Sequence, residues 1–349
     1  MTIDHLPSVI RTNLYEPLGF VSAAEGFVFL SGYVAGLTYT RVFSEMGSST
    51  LMWHRAFRRA GEIYLYNIII FASLFVVLKV AGDPFPKSWG WEPLLKEHWV
   101  AAIFLGATFM YQPRFLDILP MYCMLLLVTP VIIIHLRKGK QWVIWSISAG
   151  IWAVAQFGIR DQFVGIMSRW FPVNVGSFDF LAWQFLYVGA LSLGFYYHTE
   201  PGFGQQRRPA ILLVTFILAV GLFLFRHDLV PQVIEVSFGD IVSQRILGPV
   251  RLLNFLCLAI LISHKAIWQS GRIWTKCLAY LGRNSLQVFS FHLVMVYLFT
   301  GLIICFAISS EFDLVCIALV AVMGLFCAAR VNEIQRSKGP LLGVNICAP

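Results

Sequence analysis

Apolar residues along the chain fall into nine stretches long enough to cross a bilayer: 18–40, 63–81, 119–135, 142–158, 180–197, 210–225, 246–264, 285–305 and 313–330. A hydrocarbon core is matched by about 20 mostly apolar residues in a helix. A tenth run, 99–110, is shorter and lies between Lys96-Glu97-His98 and Gln112-Pro113-Arg114. The pattern predicts an all-α, polytopic transmembrane helix bundle forming a single integral membrane domain over 1–349.

The polar intervals orient the spans. Lys and Arg collect in cytoplasmic loops. The loop at 41–62 carries Arg41, Arg55, Arg58 and Arg59, and the loop at 136–141 carries Arg137, Lys138 and Lys140; both are expected inside. The interval 82–98, with Asp83, Glu92 and Glu97, is expected outside. One crossing, 119–135, suffices between them, so 99–110 is read as a re-entrant or interfacial helix. Irregular backbone at membrane depth survives only against protein or a wet cavity, which makes 99–118 a candidate wall for an outer cavity. Alternation then places 159–179, 226–245 and 306–312 outside. It places 198–209, 265–284 and the tail from 331 inside, and residue 1 outside. The segment before the first span is short, so an N-out chain and a sequence lacking an earlier helix both stay open.

Composition agrees. Hydrophobic residues make up 58% and charged residues 13% of the 349, against about 25% charged in soluble proteins. This excludes a soluble enzyme, a disordered chain and a nucleic-acid binder, and the net charge of +8 reads as loop bias. The seven cysteines form no C-x-x-C pair and read as small hydrophobes; no metal site is expected. There is no G-x-x-x-x-G-K-[ST], H-E-x-x-H or G-x-S-x-G, which argues against an ATPase pump, a common zinc protease and a standard serine hydrolase.

Polar groups at membrane depth are functional candidates, with interhelical hydrogen bonding as the structural alternative. Glu25 is expected about two turns into the first span, some 10 Å deep, as site support or as helix–helix glue. In the same span Ser22, Gly26 and Gly36 recur near helical spacing and permit close packing. His292 is a catalyst or a satisfied core histidine. Arg251 and Asn254 share a helix face, and Arg251 lies near enough to the span end to snorkel. Asp4-His5 precedes Leu6-Pro7; a carboxylate can fix the tautomer of an imidazole that takes a hydroxyl proton, although an adjacent pair at a terminus is a weak signal. His54-Arg55-Ala-Phe-Arg58-Arg59 suits phosphate binding or a positive-inside anchor.

Four segments resemble the OpgC family of membrane acyltransferases, within the wider acyltransferase 3-like proteins. They are Pro17-Leu-Gly-Phe-Val-Ser-Ala-Ala-Glu-Gly-Phe-Val-Phe-Leu-Ser-Gly32, Asp117-Ile-Leu-Pro-Met-Tyr122, Ala182-Trp-Gln184 and Leu281-Gly-Arg-Asn-Ser-Leu-Gln-Val-Phe-Ser-Phe-His292. The resemblance implies transfer of an acyl group, succinyl by the family's name, from cytoplasmic succinyl-CoA to hydroxyls of an osmoregulated periplasmic glucan. It implies an inner-membrane location, with acyl-CoA as co-substrate and no permanently bound cofactor. Members open with a helix carrying Asp-x-x-Arg-Gly and ending in His before Pro. Asp4-His5-Leu6-Pro7 matches the ending and the preceding helix is absent, so a missing first span is expected; restoring it makes ten. By the same resemblance His5 is the general base, with Asp4 or Glu25 orienting it. Arg55, Arg58 and Arg59 meet CoA phosphates. Tyr122, Gln184 and His292 line the substrate cavity, and Arg283 lines it or meets the nucleotide.

The rival class is a proton-coupled transporter of a small solute or carbohydrate, for which buried Glu25, Arg251 and His292 are equally suited. Against it, no matching interrupted halves are visible. A non-catalytic membrane scaffold is the third class.

Overall fold

A seam of glycines joins two helices face to face. In the computed structural model, which describes residues 16–81, 98–200, 202, 209–229, 239–263, 273–306, 308 and 310–337, helix α1 (Ala23–Met46) lies against helix α7 (Phe180–Thr199). A Cβ at Gly32 would stand 2.6 Å from the Tyr187 carbonyl oxygen; one at Gly36 would collide with the Leu191 carbonyl, and one at Gly194 with that of Tyr33. The partners advance together along both helices, so α1 and α7 run parallel with their main chains in contact, the arrangement small-xxx-small spacing permits. Gly26, expected in this role, has nothing near its would-be Cβ. Ser22 is not part of the seam either: it is the N-cap of α1, in a capping box with Glu25.

The remaining helices are α2 (Ser49–Ala81), α3 (Trp99–Ala107), α4 (Ile118–Arg137), α5 (Gln141–Ala155), α6 (Ile159–Met167), α8 (Pro209–Arg226), α9 (Pro249–Ile262), α10 (Ile273–Arg283), α11 (Ser285–Cys305) and α12 (Glu311–Ser337). A short 3₁₀ turn, Gly239–Val242, precedes α9. Two compact units divide the chain, one holding the described residues of 16–71 and 87–264, the other those of 72–86 and 265–349. In the first, α7 packs on α1, α4 and α5, and α8 pairs with α9. In the second, α11 and α12 pair; Gly324 makes room for the Phe291 ring, and Asn332 donates to Asn284 at 2.6 Å.

The expectation of nine spans is met in part. Among the described residues five helices are long and apolar enough to cross a membrane: Ser49–Val76, Ile118–Arg137, Pro209–Arg226, Ser285–Ile303 and Asp313–Gln335. The pair α5–α6, bent by 61°, makes up to six. The other expected spans fall short for two physical reasons. Helices α1 and α7 spend their faces on each other and on α4, so glycine and tyrosine replace the leucines that lipid would require. Helix α9 has 14 residues, a rise of about 21 Å. The 99–110 run forms the nine-residue α3, about 13.5 Å long and too short to cross.

The expected cytoplasmic loop at 41–62 is not a loop. Helix α1 continues to Met46, Gly47 turns the chain at φ 62°, and α2 begins at Ser49. Arg55, Arg58 and Arg59 therefore sit on a helix.

Candidate functional site

Where α1 begins, four charged side chains from distant parts of the sequence meet. Pro17 and Gly19 precede the helix, and Gly19, at φ 96°, brings its backbone against the Asn254 side chain. Phe20 N–H donates to Asn254 Oδ1 at 2.7 Å. Ser22 then caps α1, and both its N–H (2.9 Å) and its hydroxyl (2.6 Å) donate to Glu25 Oε2. The other oxygen of Glu25 accepts from Arg251 Nη1 at 2.8 Å. Arg251 Nη2 donates to Glu16 Oε1, and its Nε to the Val242 carbonyl at 3.0 Å. Arg226 Nε reaches Glu16 Oε2 at 2.9 Å. Gln244 donates to the Ser22 hydroxyl at 2.8 Å.

Glu16, Glu25 and Arg251 are each no more than 4% exposed, the Arg226 side chain is 34% exposed at the edge, and among the described residues two carboxylates face two guanidiniums. Glu16 adopts φ 55°, a left-handed conformation costly for a side-chain-bearing residue unless its surroundings hold it there. The two arginines gripping its carboxylate provide that hold. The placements also follow the helix dipoles: Glu25 lies in the first turn of α1 and Arg226 in the last turn of α8.

These contacts correct two expectations. Glu25 is in the first turn of α1 rather than two turns deep, because the cap at Ser22 starts the helix later than the apolar run does. Arg251 does not snorkel; it is buried between two carboxylates. The shared face of Arg251 and Asn254 is observed, both meeting residues 16–25. Glu16, Arg226 and Gln244 were not anticipated. Ser22-x-x-Glu25 is a readable capping signature, but a partner some 200 positions away has no local signal.

The other expected site residues are dispersed. Asp4 and His5 lie outside the described residues. Tyr122 on α4 is half-buried, its ring 6.2 Å from Phe27 and 6.4 Å from Tyr187; the Tyr187 hydroxyl pairs with that of Thr129 at 2.8 Å. Arg55, Arg58 and Arg59 occupy i, i+3 and i+4 on α2 and so share one face; Arg59 also donates to Glu62 at 2.8 Å. Gln184 accepts from the Ser148 hydroxyl at 2.6 Å and donates to the Ser148 carbonyl at 2.8 Å, which ties α7 to α5. His292, buried on α11, and Arg283, exposed at the end of α10, belong to the second unit.

A second polar region surrounds the N-terminal ends of α4 and α7. Asp117 Oδ2 accepts from Ser177 N–H at 2.7 Å, and Asp179 caps α7 through Leu181 N–H at 2.9 Å. Arg160 donates to the carbonyls of Val175 and Gly176. Two strand-like backbone bonds flank Tyr111 at this point: Gln112 N–H donates to the Asn174 carbonyl at 2.7 Å, and Asn174 N–H to the Met110 carbonyl at 2.9 Å. Burial pushes the Asp117 and Asp179 carboxyls above the usual aspartate range, against the backbone N–H donors that lower them. These residues edge a cavity of about 390 Å³ that also includes Thr108, Phe109 and Met110. Of the segment 99–118, expected to wall an outer cavity, only Thr108, Phe109, Met110, Gln112 and Asp117 line this one, and no residue of α3 does.

The family described as OpgC protein matches residues 1–337. No curated protein and no solved structure matches the chain. Membership in this family implies an acyltransferase that modifies glucans, and the apolar helices make it a membrane protein. The chain belongs to the OpgC family.

Proposed function

We propose that this chain is an inner-membrane acyltransferase that moves a succinyl group from cytoplasmic succinyl-CoA to hydroxyls of a periplasmic glucan. In this reading nine segments cross the membrane, with the start of α1 at the outer face and the start of α2 at the inner face. The observation that carries the proposal is the family match over residues 1–337, which takes in Asp4-His5 and the basic start of α2. Arg55, Arg58 and Arg59 on one helical face suit the phosphates of a nucleotide thioester, since guanidinium forks match phosphate oxygens.

His5 accepts the proton of a glucan hydroxyl, with Asp4 holding its tautomer. The hydroxyl oxygen attacks the thioester carbonyl. The new C–O bond forms as the C–S bond breaks, and the CoA thiolate recovers the proton from the imidazolium. Glu25 supports this chemistry indirectly: engaged by Ser22 and Arg251, it anchors the chain segment that leads back toward His5.

The test is labelled succinyl-CoA and a periplasmic glucan supplied to the full chain in nanodiscs, with label counted on the sugar. His5→Ala is expected to lower transfer by about 10²–10⁴-fold, the usual weight of general base catalysis, while the protein still inserts. Transfer by that variant at the wild-type rate rejects the base assignment. No label on the glucan with the wild-type chain rejects the reaction.

A further inference from the structure

The cavity beside Asp117 has a lining that the acyl-transfer reading does not use. It is lined by Met121 and Met124 of α4 and by Phe163, Val164 and Met167 of α6. Its volume of about 390 Å³ falls within the ~300–1,000 Å³ typical of ligand pockets. The polar groups at its edge are already committed: Asp117 to Ser177, Asp179 to Leu181, and Arg160 to two backbone carbonyls. A glucan unit entering here would lose water from many hydroxyls and find few partners, which costs free energy. An apolar chain would lose nothing, and methionines adapt readily to its shape.

The setting supplies such a chain. Helix α6 turns 61° away from α5, and together the two are apolar enough to form a broken membrane span. No residue of α6 is buried. Phe163 and Ile166 are exposed on it, and Phe157, Trp170 and Phe171 are exposed on either side. Trp170 is of the type enriched at membrane–water interfaces, and the phenylalanines and Ile166 beside it are apolar throughout. The same residue, Phe163, belongs both to that exposed apolar surface and to the cavity lining, so the two are continuous.

We infer that the cavity between α4 and α6 is a lipid site, holding one acyl chain of a bilayer phospholipid. The inference depends on membrane embedding alone and stands whether or not the chain transfers succinyl groups.

The full chain, purified and washed with detergent, would be incubated with dioleoylphosphatidylethanolamine and retained lipid counted by native mass spectrometry. The wild-type protein is expected to keep a single lipid per chain. Met124→Trp, which fills the cavity from α4, and Val164→Phe, which narrows it from an unburied helix, are both expected to lose it. Since Val164 lies on a helix without buried residues, that variant keeps the test open if Met124→Trp fails to fold. Equal retention by wild type and a folded variant overturns the site. So does a linear β-glucan oligosaccharide, used as a second probe, if its binding rather than that of the lipid is what the variants lose.

Discussion

The two buried polar regions of the first unit are built in opposite ways. At the start of α1, charge meets charge: Glu16 and Glu25 depend on Arg251 and Arg226, which come from positions far along the sequence. At the starts of α4 and α7, charge meets backbone: Asp117, Asp179 and Arg160 are held by N–H and C=O groups within about 60 positions. A carboxylate paired with a guanidinium becomes an uncompensated buried charge when the partner is removed. A carboxyl held by one N–H can be replaced by an amide that accepts the same bond. The first region therefore binds the fold together, and the second tolerates neutral chemistry.

Arg251→Met should separate the two most strongly. It strands Glu16 and Glu25, with an expected loss of about 3–5 kcal/mol of stability, read as thermal unfolding of the purified protein in detergent. Adding Glu16→Gln and Glu25→Gln should recover part of that loss. A loss below about 1 kcal/mol would class the cluster with solvent-screened pairs.

A smaller effect is expected along the helix seam, which lies further along α1 and α7 than either region. Gly36→Ala forces a methyl into the Leu191 carbonyl and should cost about 1–3 kcal/mol, as overpacking does. Gly26→Ala, with open space around it, should be neutral or stabilising by up to about 1 kcal/mol. Equal responses would contradict the close approach of α1 and α7.

Asp117→Asn should change stability by under about 1.5 kcal/mol at neutral pH. Its signature is the pH dependence. Because the folded state raises the Asp117 pKa, it binds the proton more tightly than the unfolded chain. Stability from this group is full below the ordinary aspartate value of about 3.9 and falls as pH rises from there to the raised value. Asp179 is raised too, so Asp117→Asn flattens that slope in part and a double variant with Asp179→Asn flattens it further. An unchanged slope in the double variant would assign it to other groups.

Much of the helical framework is legible in the sequence. Apolar runs at 63–81, 119–135, 210–225, 285–305 and 313–330 correspond to the five helices apolar enough to cross a membrane. Hydropathy registers a helix's own apolar content, whatever covers it: Ile118–Arg137 is 61% buried within the protein and Pro209–Arg226 only 11%, and both stand out. Helices α1 and α7 are less distinct because glycine, serine, threonine and tyrosine interrupt their apolar runs, and their signal is glycine spacing. There Gly26 and Gly32 look alike in one dimension, and only the neighbour's backbone distinguishes them. In the charged cluster, Ser22, Glu25, Arg251 and Asn254 are each conspicuous for being polar in apolar surroundings. Their joining with Glu16 and Arg226 is a property of the folded chain. Gln184 stands out in the same way, yet its amide is engaged with Ser148 on a neighbouring helix, which shows that intramembrane polarity alone does not separate chemistry from architecture.

The parallel glycine seam has a mechanical consequence. Two backbones that touch without intervening side chains have no soft layer to shear, so α1 and α7 respond to force as one beam. The capped ends of both helices are tethered to the same short stretch, Ser22 by Gln244 and Asp179 by the Arg245 carbonyl. Any displacement of residues 244–245 therefore tilts or translates the pair together.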